Sequence, residues 1–146
     1  MIPSAAMRIA AIILIAMAVC SCSSVSKSFD EAVKATDNFH QQIAQADYGA
    51  IYDAGSNGFK EKSSRSQMID FFKVAYGKLG ACEKPNREGF RVNFNTNGRF
   101  VALTYASQCA HASMHESFIW RIEDGKAKLY GYRINSDIFK DDKKTP

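Results

Sequence analysis

The chain has 146 residues, 46% of them apolar and 12% aromatic, and carries a net charge of +4. That length suits one domain with a real hydrophobic core, and the composition excludes a generally disordered chain. Its lysines and arginines are interspersed with 15 acids rather than gathered into a stripe, so the electrostatic footprint of a nucleic-acid binder is missing.

The first element in chain order is a positive residue, Arg8, followed by an uncharged apolar run of 11 residues, 9–19. A membrane-spanning helix needs about 20 such residues, so the run fits the core of a secretory signal. Met7 followed by Arg8 would itself make an ordinary signal start. The run closes on Val19-Cys20-Ser21-Cys22, which resembles the lipobox of bacterial lipoproteins, where a small residue precedes an obligatory cysteine. Ser21 before Cys22 fits that pattern, whereas Val19 before Cys20 puts a β-branched residue beside the cleaved bond. Cys20 in the middle of the box departs from the pattern. The resemblance implies a thioether from Cys22 to diacylglycerol, cleavage before Cys22 and acylation of the new amine. Several acyl chains, at about 0.8 kcal/mol per buried CH₂, anchor stably where one does not. The alternative is a plain secretory peptide that releases a soluble protein. Serines after Cys22, by resemblance to enterobacterial sorting, imply the outer membrane, facing the periplasm. The expected organisation is a signal peptide over 1–21, a polar tether over 22–28, one domain over 29–136 and a charged tail over 137–146.

Apolar residues at helical spacing (Phe29, Val33, Thr36, Phe39 or His40, Ile43) predict an amphipathic helix over 29–45, with Ser28 as N-cap and Asp30 and Glu31 in its first turn. A short helix follows in 46–55, with Asp47 as cap, Tyr48, Ile51 and Tyr52 on one face and Gly55 at its end. Residues 56–64 read as a polar loop with one apolar anchor, Phe59. Ser64 and Gln67 have capping-box spacing, and Met68, Phe71, Phe72, Ala75 and Leu79 predict a third helix ending at Gly80. Beyond Gly80 the period becomes two. Phe90, Val92 and Phe94 alternate with polar residues, a turn follows at 95–98, and Val101, Leu103 and Tyr105 mark a second strand over 99–108. Met114, Glu116, Phe118, Trp120 and Ile122 mark a third, 123–126 forms an Asp-Gly hairpin turn, and Leu129, Tyr130, Tyr132 and Ile134 mark a fourth over 127–136. Helices followed by a meander of strands predict an α+β fold, N-terminal helices packed on one face of a strongly curved antiparallel sheet of about four strands.

The run from Ala35 to Gly80, followed by four long strands ending in residues 129–136, resembles exported bacterial members of the nuclear-transport-factor-2-like superfamily, over residues 29–136. The short 46–53 helix and the Lys78-Leu79-Gly80 close of the third helix carry the likeness. The resemblance implies a cystatin-like cone enclosing a pocket. That cone serves isomerases, cyclases, dehydratases and non-catalytic modules alike, so fold alone leaves the function open.

Cys82 and Cys109 remain in the exported part, and an even pair in an oxidising compartment is most simply a disulfide. Closing such a loop is worth roughly 3.6 kcal/mol in the chain-entropy model. Two free thiols or a redox pair are the alternatives, the latter without a C-x-x-C motif. His111 and His115 have metal-ligand spacing but lack a third ligand beyond Glu116, which an ideal strand turns the other way; the rival reading is two solvated histidines. Asp37 and His40, three apart on a helix, make either an acid–base pair or an ordinary surface pair. Glu116 is the one acid in a strand's apolar series. Trp120, Tyr105, Tyr130 and Tyr132 line a core, a subunit interface or a ligand site. No phosphate loop, nucleophile elbow or zinc-protease motif occurs. No catalytic residue, cofactor or metal ligand is assigned. The expected function is a membrane-anchored envelope lipoprotein acting as a non-enzymatic binding module, with the bilayer as partner through Cys22 and a homodimer or envelope protein as further partner. The alternative is a small-molecule carrier or acid/base enzyme using Asp37, His40 or Glu116.

Overall fold

The computed structural model describes the backbone of residues 5–140 and the side chains of residues 23–140. The expected signal peptide and the expected Cys22 anchor therefore lie outside the side chains described, as does most of the expected tail. Four helices, α1 (Ala5–Ala44), α2 (Tyr48–Asp53), α3 (Asn57–Lys60) and α4 (Arg65–Leu79), precede four strands, β1 (Asn86–Asn95), β2 (Gly98–Gln108), β3 (Ser113–Glu123) and β4 (Lys126–Asn135). The strands form one antiparallel sheet in the order β1-β2-β3-β4, which is not closed. The α+β class and the four-strand meander agree with the sequence reading. Among the described residues, no helix is long and apolar enough to cross a membrane.

α1 begins earlier than its periodicity suggests. Residues 23–28 are helical, and Ser28, the expected N-cap, lies inside the helix, 2% exposed, with its hydroxyl donating to the Ser24 carbonyl at 2.8 Å. α1 closes on a Schellman-type pair, Asp47 N–H to Gln42 O at 2.9 Å and Ala46 N–H to Ile43 O at 3.0 Å. This puts Ala46 at φ 56°, where a glycine would sit with less strain. Asp47 occupies the cap position of α2 without a side-chain cap bond. Part of the expected loop is helical: Ser56 caps α3, accepting from Phe59 N–H, and α3 seats Phe59 in the core. The α4 capping box is present, Ser64 and Gln67 each accepting from the other's backbone N–H. Gly80 ends α4 at φ 75°, with Ala110 and His111 packed where a side chain would stand. Asp124 and Gly125 both have positive φ, as a two-residue hairpin turn of the primed type requires.

The helices lie on one face of the sheet. Val101, Leu103 and Tyr105 from β2, and Met114, Glu116, Phe118 and Trp120 from β3, are buried there against Ala32, Thr36 and Phe39 of α1 and Phe72, Ala75, Tyr76 and Leu79 of α4. In β4 the alternation breaks. Leu129 and Tyr132, three apart, both reach the core side because the register shifts beside Trp120 and leaves Tyr130 without a pairing position. Tyr130 instead meets Phe100, with Lys62 over its ring. Phe71, expected in the core stripe of the third helix, is 41% exposed, and Tyr76 takes the inward place. The first residues of the expected tail, Asp137–Phe139, form a 3-10 turn whose Ile138 and Phe139 pack on the core.

Candidate functional site

Strand alternation puts Glu116 on the same buried side as Met114, Phe118 and Trp120, where it is 1% exposed. A carboxyl group there needs donors from all sides. Helical spacing supplies two of them. α1 turns Phe39 and His40 inward, and His40 Nε2 lies 2.7 Å from Glu116 Oε2. α4 supplies Tyr76, whose hydroxyl donates to Oε1 at 2.5 Å, and β4 supplies Tyr132, which donates to the same oxygen at 2.6 Å. The two hydroxyl oxygens are 2.7 Å apart. Nearby, Trp120 Nε1–H donates to Thr36 Oγ1 at 2.9 Å, and Thr36 donates on to the Ala32 carbonyl. Among the described residues, no buried side-chain nitrogen or oxygen is left without a partner.

Burial, reinforced by the adjacent Glu116 charge, pushes both tyrosine hydroxyls well above their ordinary range, so they hold their protons and serve as donors. Tyr105 is raised as well, mainly by burial. Aromatic rings fill the surrounding space: His40 meets Phe39, Tyr105 and Phe118 edge to face at 5.5–5.7 Å, and Phe118 stacks on Trp120.

His40 is partly open to solvent, its side chain 16% exposed, and Tyr132 is likewise only partly buried. With Nε2 donating to Glu116, a neutral ring has Nδ1 as an acceptor, and no other hydrogen bond to His40 occurs among the described residues. The ring lines two neighbouring clefts. One, of about 430 Å³, includes Asp37, Gln41, Lys84 and Tyr105 in its wall; the other, of about 370 Å³, is walled by Ile43, Tyr48, Tyr76 and Met114. Both share Cys82, Glu83 and Pro85. Cys82 and Cys109 form the expected disulfide, and Glu83 N–H to Gln108 O and Ser107 Oγ to Glu83 O fasten the same segment to β2. The wall facing His40 is thus fixed covalently.

The structure brings together two of the three acid–base candidates. His40 is held by Glu116, 76 residues away in sequence, and not by Asp37, which makes no hydrogen bond to it and stands on the cleft wall. His111 lies in the turn before β3, against Gly80, and His115 is an exposed partner of Glu88 at 3.2 Å. Among the described residues no group of three potential metal ligands assembles. Tyr76 was missed in the sequence, although it sits four after Phe72 and three before Leu79, on the same helical face. No protein-family model and no curated protein matches the chain.

Proposed function

We propose that this protein is a lipid-anchored envelope module that binds a small polar ligand in the cleft beside His40, on a cone-like curved sheet of the nuclear-transport-factor-2-like kind. The observation that carries the binding reading is the state of His40. One ring nitrogen is fixed by a fully buried carboxylate, while the ring lines a cleft that also carries Asp37, Gln41 and Lys84 and has one wall pinned by a disulfide. Such a group meets a ligand without first having to be ordered, which lowers the cost of binding. The anchor rests on the signal-like run and the Ser21-Cys22 pair, and the outer membrane on the serines that follow.

A second reading is favoured by the 2.7 Å His40–Glu116 contact: the imidazole acts as acid or base, with Glu116 as its positioning residue. Against it stand the tyrosines, which already occupy Glu116 Oε1, and an interior filled with rings where a substrate would be shielded from water.

Native mass spectrometry of the full chain extracted from its membrane tests both parts of the proposal. A chain starting at Cys22 with the added mass of diacylglycerol and acyl groups supports the anchor; a chain that retains its leader overturns it. A small-molecule adduct present in the wild type and lost in His40→Phe supports the cleft. Identical spectra for the two chains take the cleft out of the proposal.

A further inference from the structure

We infer that an apolar groove between the start of the described part of α1 and the edge strand β1 lies on an anionic bilayer surface. The groove, about 700 Å³, is lined by Val25 and Phe29 from the helix, Phe90, Val92 and Phe94 from the strand, and Arg99 at the start of β2. Phe90 is 64% exposed and Phe94 46%, with Val25 exposed beside them, an unusual concentration of bare aromatic surface for a soluble domain. Among the described residues Arg99 is the one charge on the lining; its guanidinium lies 4.6 Å from the Phe94 ring, and that of Arg87 lies 4.9 Å from Phe29. Aromatic rings beside long cationic side chains suit the boundary between hydrocarbon and phosphate, where the ring enters the apolar layer and the guanidinium stays at the headgroups.

Chain connectivity selects the bilayer among possible occupants. This inference rests on the proposed anchor at Cys22. Residues 23–28 are helical and Ser28 is buried, so no extended linker separates position 22 from the domain. At about 1.5 Å per helical residue, Val25 lies about 4.5 Å and Phe29 about 10 Å along the axis from Cys22. An anchor that close leaves the domain no slack to stand away from the lipid, and the face it brings to the surface is the one with the bare rings. A second copy placed symmetrically on this face would set Arg87 and Arg99 of each chain against those of the other.

The test uses the full chain extracted with its anchor and reconstituted in vesicles of phosphatidylcholine and phosphatidylglycerol with brominated acyl chains, which quench nearby indole fluorescence. Two variants are compared, Phe94→Trp in the groove and Val74→Trp on the exposed face of α4, with the wild type giving the background from buried Trp120. Bromolipid is expected to quench Phe94→Trp at least twofold more than Val74→Trp, and less strongly when phosphatidylglycerol is left out. Equal quenching of the two variants overturns the inference. So does a Phe94→Trp indole shielded from both bromolipid and aqueous acrylamide in a chain that runs as a dimer, because a second copy then covers the groove. Quenching that ignores phosphatidylglycerol overturns the anionic part. Intact mass on the same sample keeps the two proposals apart. An acylated chain with equal quenching leaves the anchor standing and the docking refuted; a chain without acyl groups whose Phe94→Trp indole is still selectively quenched does the reverse.

Discussion

β1 and β3 carry the same written pattern, apolar residues at every second position, and meet opposite fates. Met114, Phe118 and Trp120 of β3 are 0–5% exposed, whereas Phe90 and Phe94 of β1, which point to the same side of the sheet, are largely bare. The difference lies in what covers them. β3 runs under the second half of α1 and under α4, so its odd member, Glu116, is enclosed and has to be satisfied by His40, Tyr76 and Tyr132. β1 is an edge strand, and α1 reaches it only through contacts such as Phe29 on Phe90, rings 4.8 Å apart. Alternation therefore tells which side of a strand is apolar. Whether that side is core or surface depends on the layer above it.

The comparison breaks most sharply at Phe118, which is fully buried and touches the rings of Phe39, His40, Tyr105, Trp120 and Tyr132. Phe118→Ala is expected to cost about 3–5 kcal/mol, the range for an aromatic removed from a packed core. Urea titration followed by circular dichroism measures it. A loss below about 1 kcal/mol would mean that this face is not the core that its burial implies.

An intermediate effect concerns pH and the polar group inside that core. Tyr76 and Tyr132 are raised above the value of 10.0 they have when unfolded, so the native state keeps protons that the unfolded chain gives up. Their contribution is complete below about pH 10 and is lost as the pH climbs from there toward the native values. Each tyrosine ionised only in the unfolded state lowers stability by about 1.4 kcal/mol per pH unit. Tyr132→Phe removes one such group, so its stability should fall less steeply above about pH 10.5, by about 1.4 kcal/mol per unit. Urea midpoints at a series of alkaline pH values read the slope, and equal slopes for wild type and variant would mean that Tyr132 gives up its proton as readily in the native state as in the unfolded chain.

Local signals in the sequence were enough for most of the architecture. The capping box at Ser64, the helix stop at Gly80, the Asp-Gly turn at 123–126 and the switch of period from helical to alternating are all encoded within a few residues, and they place three of the four helices and all four strands. The Cys82–Cys109 bridge was legible because only two cysteines follow the signal-like segment. Less local features were harder. Glu116 stood out as an acid in an apolar series, but nothing in the spacing of 40, 76, 116 and 132 says that those side chains meet, because that depends on how α1 and α4 cross the sheet. Asp37 looked like the partner of His40 only because it is near in sequence. Likewise Ser28, a good cap by residue type, was overruled by packing. It is buried in the helix, and Arg99 Nη1 reaches its hydroxyl from β2 at 3.3 Å.

The smallest effect is expected where the alternation is most misleading. Phe90→Ser removes a large apolar side chain from a strand, a change that in β3 would be severe. At 64% exposure, with its main ring contact to the half-buried Phe29, it should alter stability in detergent-free buffer by less than about 0.5 kcal/mol. The same urea titration measures it, repeated at two protein concentrations. A loss of about 2 kcal/mol that grows with concentration would show that the β1 face is covered in solution by another copy of the chain, and the contrast between the two strands would then hold only for the isolated monomer. A near-neutral result leaves the ring without a stabilising role in the fold, and an exposed aromatic at an edge strand carries an aggregation risk when nothing covers it. Its place beside Phe94 and the arginines is then better explained by what the domain touches than by how it folds.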